Sequence, residues 1–106
     1  MKKKQETRSN FRKMVFERDN HQCRICDKSK NLDAHHIIDR HDIPNGGYIL
    51  ENGITLCEYH HGLAETYHVT NGISWSEGLH PNDLFIMIGS SKELAFRCSE
   101  RLSDPI

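Results

Sequence analysis

The residues able to do chemistry are dense in this chain: 106 residues carry eight histidines and four cysteines. Cys23 and Cys26 form a Cys-x-x-Cys pair, and Cys57 and His60 form a Cys-x-x-His pair further along. Two such knuckles offer four soft or borderline donors to one centre, the donor set of a structural zinc. Each pair works because its short turn aims both side chains the same way. Cys98 could in principle replace His60. It shares the apolar face of a C-terminal helix with Leu94, Ala95 and Leu102, however, so a packed thiol is expected there. A redox Cys-x-x-Cys is the competing reading of the first pair. No apolar stretch follows Met1–Glu6, so no secretory signal is expected. Thiols that stay reduced favour metal over disulfide.

A second group of polar residues remains once zinc is assigned: the His35-His36 pair, Asn52, His61 and Glu65. In a helix starting near Glu58, His61, Glu65 and His68 are spaced i, i+4 and i+7 and share one face. His60, Leu63, Ala64 and Tyr67 share another, about 100° away. That split sends His60 toward zinc and core and His61 toward a different metal. His68 could reach the same metal, but it stands at the helix end, where a surface imidazole is the usual case. His21 reads as structural or exposed, His80 as flanking a helix start, and Trp75 and Phe85 as core or edge packing.

The elements that must hold these groups follow from pattern and punctuation. Ser9 or Asn10 is placed to cap a helix to about Arg18, with Phe11, Met14 and Val15 on one face. Leu32–Ile38 and Ile54–Leu56 read as short strands, joined by a loop that turns at Pro44-Asn45-Gly46-Gly47. Glu58 to about His68 reads as a helix. Pro81–Ile88 reads as another, with Pro at its first turn and Gly89 past its end. Ser90 and Glu93 read as the capping box of a last helix to about Leu102. No run is long enough for a transmembrane helix, since the longest apolar stretch is Leu84–Ile88.

Charge is balanced overall at −1 but not along the chain. Residues 1–24 hold eight Lys/Arg against three Asp/Glu, a net of +5, and the remainder holds six against twelve, a net of −6. A basic end suits phosphate and an acidic body suits cations. Lys2, Lys3, Lys4, Arg8, Arg12 and Lys13 are the candidate phosphate contacts of that end, joined by Arg40 and His41 in the loop after the first strand. Such contacts carry affinity and salt dependence but little sequence information. With no helix-turn-helix or second finger to read bases, low intrinsic specificity is expected.

Asp33-Ala-His-His-Ile-Ile38, then Glu51-Asn-Gly-Ile-Thr-Leu-Cys57, then His60-His61 resemble the HNH nuclease motif with zinc knuckles interleaved, over about residues 19–65. The resemblance implies an α+β chain with a ββα-metal (His-Me finger) core, stapled by zinc and flanked by N- and C-terminal helices. It implies metal-dependent hydrolysis of DNA, by nicking or by double-strand cutting. His36 would be the general base, His35 and His61 ligands of the catalytic metal, and Asn52 the residue that positions loop or base. Glu65 falls where some relatives place a further histidine ligand. A mixed N and O donor set tolerates Mg²⁺ or Mn²⁺. The expected organisation is a flexible basic arm over 1–8, a nuclease core over 9–68 and a helical extension of the same domain over 69–106. DNA is the expected partner, for a monomer or homodimer in the cytoplasm of a bacterial or phage-infected cell. A partner protein could dock on the C-terminal helices. The competing class is a non-catalytic zinc-stabilised DNA-binding module or accessory protein, which has no need of His36, Asn52 and His61 together.

Overall fold

Helix α1 (Lys2–Arg18) begins earlier than a cap at Ser9 or Asn10 implies and takes in residues 2–8. Its apolar side chains are few but concentrated, and Phe11 and Val15 are buried. Asn20 and His21 adopt left-handed backbone angles just past its end, which stops the helix and turns the chain into the first knuckle. The computed structural model describes residues 2–103, with side chains from Glu6 to Leu102. The side chains of Lys2, Lys3 and Lys4 lie outside the described residues.

Strands β1 (Leu32–His36) and β2 (Gly53–Cys57) pair antiparallel, with Leu32 opposite Cys57, Ala34 opposite Thr55 and His36 opposite Gly53. β1 stops short of Ile38 because Asn52 takes over its hydrogen bonding. Ile37 N–H donates to the Asn52 carbonyl (2.9 Å), and Ile38 N–H donates to Asn52 Oδ1 (2.9 Å). Helix α2 (Glu58–Val69) follows β2 directly, with Cys57 as its N-cap residue. Both α1 and α2 pack on the strand pair.

Strand alternation decides which helix each histidine meets. His35 faces α2, while His36 faces α1 and stacks on Phe11 with ring centroids 4.5 Å apart. Opposite His36 the sheet carries Gly53. A Cβ there would lie 2.5 Å from Val15 Cγ2 and 2.8 Å from the Phe11 ring, so only glycine lets α1 come this close.

Helices α3 (Pro81–Met87) and α4 (Lys92–Glu100) close the other side. Ile37, Ile43, Ile49, Ile54, Leu56, Leu79, Leu84, Phe85 and Ala95 form the continuous core beneath them. The cap of α4 is Ser91, whose Oγ accepts from Leu94 N–H, and not Ser90. Ser90 Oγ instead donates to the Glu51 carbonyl (2.8 Å), tying α4 to the loop before β2. Buried Ser99 on α4 donates to the Pro44 carbonyl and accepts from Gly47 N–H (3.0 Å), so α4 also pins the Pro44–Gly47 turn. The result is an α+β fold with a two-stranded sheet and flanking helices. Among the described residues no helix is long and apolar enough to cross a membrane.

Candidate metal centres

The two knuckles meet. Cys23, Cys26, Cys57 and His60 bring their donor atoms to one point, and Cys98 stays outside the group. Cys26 Sγ lies 3.7 Å from Cys57 Sγ, and His60 Nδ1 lies 3.3 Å from Cys57 Sγ and 3.8 Å from Cys23 Sγ. Tetrahedral zinc at ordinary bond lengths puts two sulfurs about 3.8 Å apart and sulfur and nitrogen about 3.6 Å apart. The donor spacing therefore fits one zinc. Local backbone explains the convergence. Cys23 N–H donates to the Lys28 carbonyl and Asp27 N–H to the Cys23 carbonyl, a tight turn that places both sulfurs inward. From the other side, the strand-to-helix junction aims Cys57 and His60 inward together. Burial pushes the Cys57 thiol up, but the backbone N–H and ring of His60, together with the neighbouring sulfurs, outweigh it and bring it down to about 6. A thiolate at a helix N-terminus is the form that binds metal.

A second cluster lies between β1 and α2. His35, Glu65 and His68 bring donor atoms within 4.8 Å of one another. His35 is 1% exposed, and its Nδ1 is 3.1 Å from Glu65 Oε2. That approach has no hydrogen-bonding geometry: His35 Nδ1 and His36 Nε2 are the buried side-chain polar atoms without a hydrogen-bond partner among the described residues. A buried imidazole nitrogen and a carboxylate oxygen this close suit a cation shared by both. Burial pushes the His35 imidazole down in pKa against the pull of Glu65, which keeps a lone pair available. His35 and then His61 hold the Glu65 carboxyl far below the usual carboxylate range.

The cluster brings together two of the sequence candidates, His35 and Glu65, with His68, which the sequence left among helix-end histidines. His68 lies one turn beyond Glu65, where the end of α2 meets the end of β1, and its ring stacks on His35 at 5.3 Å. His68 Nε2 also contacts the His36 carbonyl at 3.0 Å. His61 stands at the edge of the group, with Nε2 3.5 Å from Glu65 Oε2 and Nδ1 3.2 Å from Asp33 Oδ2. Glu65 raises the His61 pKa against burial, with Asp33 adding to the rise. Asp33 was not singled out from the sequence, although its i, i+2 relation to His35 puts both on the α2-facing side of β1.

His36 is adjacent in sequence but turned to the opposite face. Its ring packs on Phe11 and meets the Tyr48 ring edge-on at 4.7 Å. Burial, with a smaller push from His35, lowers its pKa to about 4, so the imidazole is neutral at pH 7. Asn52 is fully buried and touches neither cluster. Its Nδ2 donates to the Ile38 carbonyl (3.1 Å) and the Gly47 carbonyl (3.2 Å), while Oδ1 accepts from Ile38 N–H. Asn52 thus clamps both ends of the loop that follows His36.

The expected phosphate contacts divide. Arg12 is engaged internally, donating to the Leu32 carbonyl (3.2 Å), lying 3.7 Å from Asp33 and covering the Phe16 ring at 4.6 Å. Lys13 is exposed on α1. Arg8 and Arg40, distant in sequence, line one cleft together with His41, and the His41 ring contacts Asp39 at 3.0 Å. Compared with known proteins, the chain matches no protein family, no curated protein and no solved structure. The chemistry of the site rests on its own side chains.

Proposed function

We propose that this protein is a divalent-metal-dependent DNA endonuclease of the HNH type, with β1, β2 and α2 as a ββα-metal core and one structural zinc. The observation that carries the reading is the meeting of His35, Glu65 and His68, with His61 at the edge, next in sequence to a half-buried His36 whose buried Nε2 has no hydrogen-bond partner. A non-catalytic zinc module needs neither feature. Structural zinc is held by Cys23, Cys26, Cys57 and His60 and staples the core.

Phosphodiester hydrolysis needs a proton acceptor for water, positive charge on the phosphate oxygens and relief of charge on the leaving oxygen. His35, Glu65 and His68 would hold a divalent ion such as Mg²⁺ or Mn²⁺, which would supply that positive charge when bound. His36 Nε2 takes the proton of the attacking water, a role for which a neutral imidazole is ready at pH 7. Phe11 and Tyr48 hold the ring in place, and Asn52 holds the loop behind it. His68 Nε2–H, in the tautomer that donates to the His36 carbonyl, ties the base's backbone to the cluster. The basic end of α1, with Lys2, Lys3, Lys4, Arg8 and Lys13, and the loop residues Arg40 and His41 add phosphate contacts. One such centre cuts one strand per visit, so a monomer nicks, and double-strand breaks need a dimer or repeated events.

The test is supercoiled plasmid with purified protein and its His36→Ala variant in Mg²⁺ and then Mn²⁺, with a chelator control. Metal-dependent nicking by the parent and none by a folded, zinc-loaded variant is the expected result. DNA binding without cutting by either protein refutes the endonuclease reading in favour of a binding module or accessory protein. Equal cutting by both removes His36 from the base role.

A further inference from the structure

A cleft of about 430 Å³ opens between α1 and the loop after β1. Arg8, Arg40, His41, Asn45, Gly46 and Tyr48 line it. Tyr48 is its shared wall, with one ring edge toward His36 at 4.7 Å and Phe11 behind at 5.7 Å. Burial raises the Tyr48 phenol, but the guanidiniums of Arg40 and Arg8 meet at its oxygen and bring it below its ordinary value. The backbone is shaped for this ring. Gly46 has φ +83°, and a Cβ there would lie 2.5 Å from Tyr48 Cε2.

The other arginines of this region are spent differently. Arg18 and Arg24 grip Asp19 and backbone carbonyls, and Arg12 grips Leu32 and Asp33. Those contacts fasten the fold. Arg8 and Arg40 instead line the cleft with the Tyr48 phenol, and none of the described residues lining it is a carboxylate. Volume, two guanidiniums, an imidazole and an aromatic wall suit a phosphate with part of a nucleotide attached. Position adds the direction of the strand. Tyr48 lines the cleft on one side and meets the His36 ring on the other, and the His36 carbonyl touches His68 of the second cluster. A strand whose reacting phosphate lies at His36 and that cluster continues over Tyr48 into the cleft.

We propose that this cleft binds the DNA backbone phosphate next to the one that is cut, with Arg8 and Arg40 as its ligands and Tyr48 as the positioning residue that holds the two guanidiniums together. The inference rests on the endonuclease reading. The first measurement is binding of a short labelled duplex by fluorescence anisotropy in Ca²⁺ over a salt series. R8A and R40A are each expected to weaken binding and to lower the slope of log K against log salt by about one. R40K keeps the slope and loses part of the affinity, because lysine lacks the fork. R97A, on exposed α4, leaves both unchanged. Slopes for R8A and R40A equal to the parent's overturn the proposal.

The second measurement places the phosphate. The parent's nick is mapped in Mg²⁺, and a duplex is made with one neutral methylphosphonate beside that position. The parent is expected to lose about as much affinity for it as R40A loses for ordinary DNA, and R40A to lose no more on the modified duplex. Additive losses overturn the assignment. Nicking with unchanged slopes refutes the cleft alone, whereas reduced slopes with no nicking by the parent refute the endonuclease reading and the placement beside a cut phosphate together.

Discussion

Replacing Cys57 by serine removes one thiolate from the Cys23–Cys26–Cys57–His60 group while changing the side chain by a single atom. Cys57 is 3% exposed and sits where β2 becomes α2, so its sulfur joins the sheet, the helix and the first knuckle at one point. Zinc binding contributes about 10–16 kcal/mol of apparent folding energy in finger-sized peptides. Domains as a class exceed their unfolded states by only about 5–15 kcal/mol. The core here is modest, so losing the zinc offsets all or most of the net stability. C57S is expected to hold less than one zinc after exposure to a weak chelator and to lose its cooperative thermal transition in circular dichroism. C98A is the control, because Cys98 lies outside the group. Its effect should stay near 1 kcal/mol, a shift of about 4–8 °C in a domain of this size, with zinc retained. A C57S protein with one tightly held zinc and a midpoint within a few degrees of the parent's would refute the structural-site argument.

Asp19 is 4% exposed and accepts from Arg18, Arg24 and Thr55 N–H, so D19N should cost about 1.5–3 kcal/mol in urea unfolding, since charge-assisted hydrogen bonds from two part-exposed guanidiniums lose their anion. Burial raises the Asp19 carboxyl, yet those partners bring it below its ordinary 3.8. The difference between parent and D19N should therefore be full above pH 3.8 and shrink as pH falls through the lower folded value; a constant difference over that range would contradict it. E65Q should weaken Mn²⁺ or Co²⁺ binding at the second cluster by about 100-fold or more without changing zinc content, since it removes a donor and not only the partner of one; unchanged affinity by calorimetry would show that Glu65 holds no ion. G53A should destabilise by about 1–3 kcal/mol and disturb the Phe11–His36 stack, seen as a shift of the His36 ring resonances, since its Cβ meets Val15 and Phe11. A fully stable G53A with unshifted resonances would mean that α1 does not press on β2.

The Cys23–Cys26–Cys57–His60 group was legible because its geometry is local. Cys-x-x-Cys and Cys-x-x-His each aim two donors through one short turn, and the only long-range demand is that the two turns meet. The pairing of β1 with β2 was legible for a similar reason, with short apolar runs, turn residues between them and a helix starting after Cys57. The separation of His60 from His61 followed from helix periodicity alone. Boundaries were less legible. The early start of α1 has no cap at Ser9 to mark it, and the choice of Ser91 over Ser90 depends on which hydroxyl the loop at Glu51 captures.

The second cluster was legible in part. His35 and Glu65 could be named, but His68 could not be distinguished from a surface histidine. Its role depends on where the last turn of α2 falls against the end of β1, which is set by the packing of α2 on both strands. Asp33 carried a signal in its alternation with His35, although its partner lies a helix away. Tyr48 had none, since nothing near it in sequence shows that Arg8 and Arg40 will converge on its phenol.

Residue spacing by itself determined the donor sets, the two faces of α2 and the order strand, strand, helix, because these follow from backbone periods of a few residues. Only the tertiary structure decided which donors share a centre, that Asn52 clamps a loop and touches no metal group, and that two distant arginines line one cleft with Tyr48. Those outcomes depend on how close α1 and α2 approach the same two strands, and close packing at Gly53, Val15 and Phe11 sets that distance.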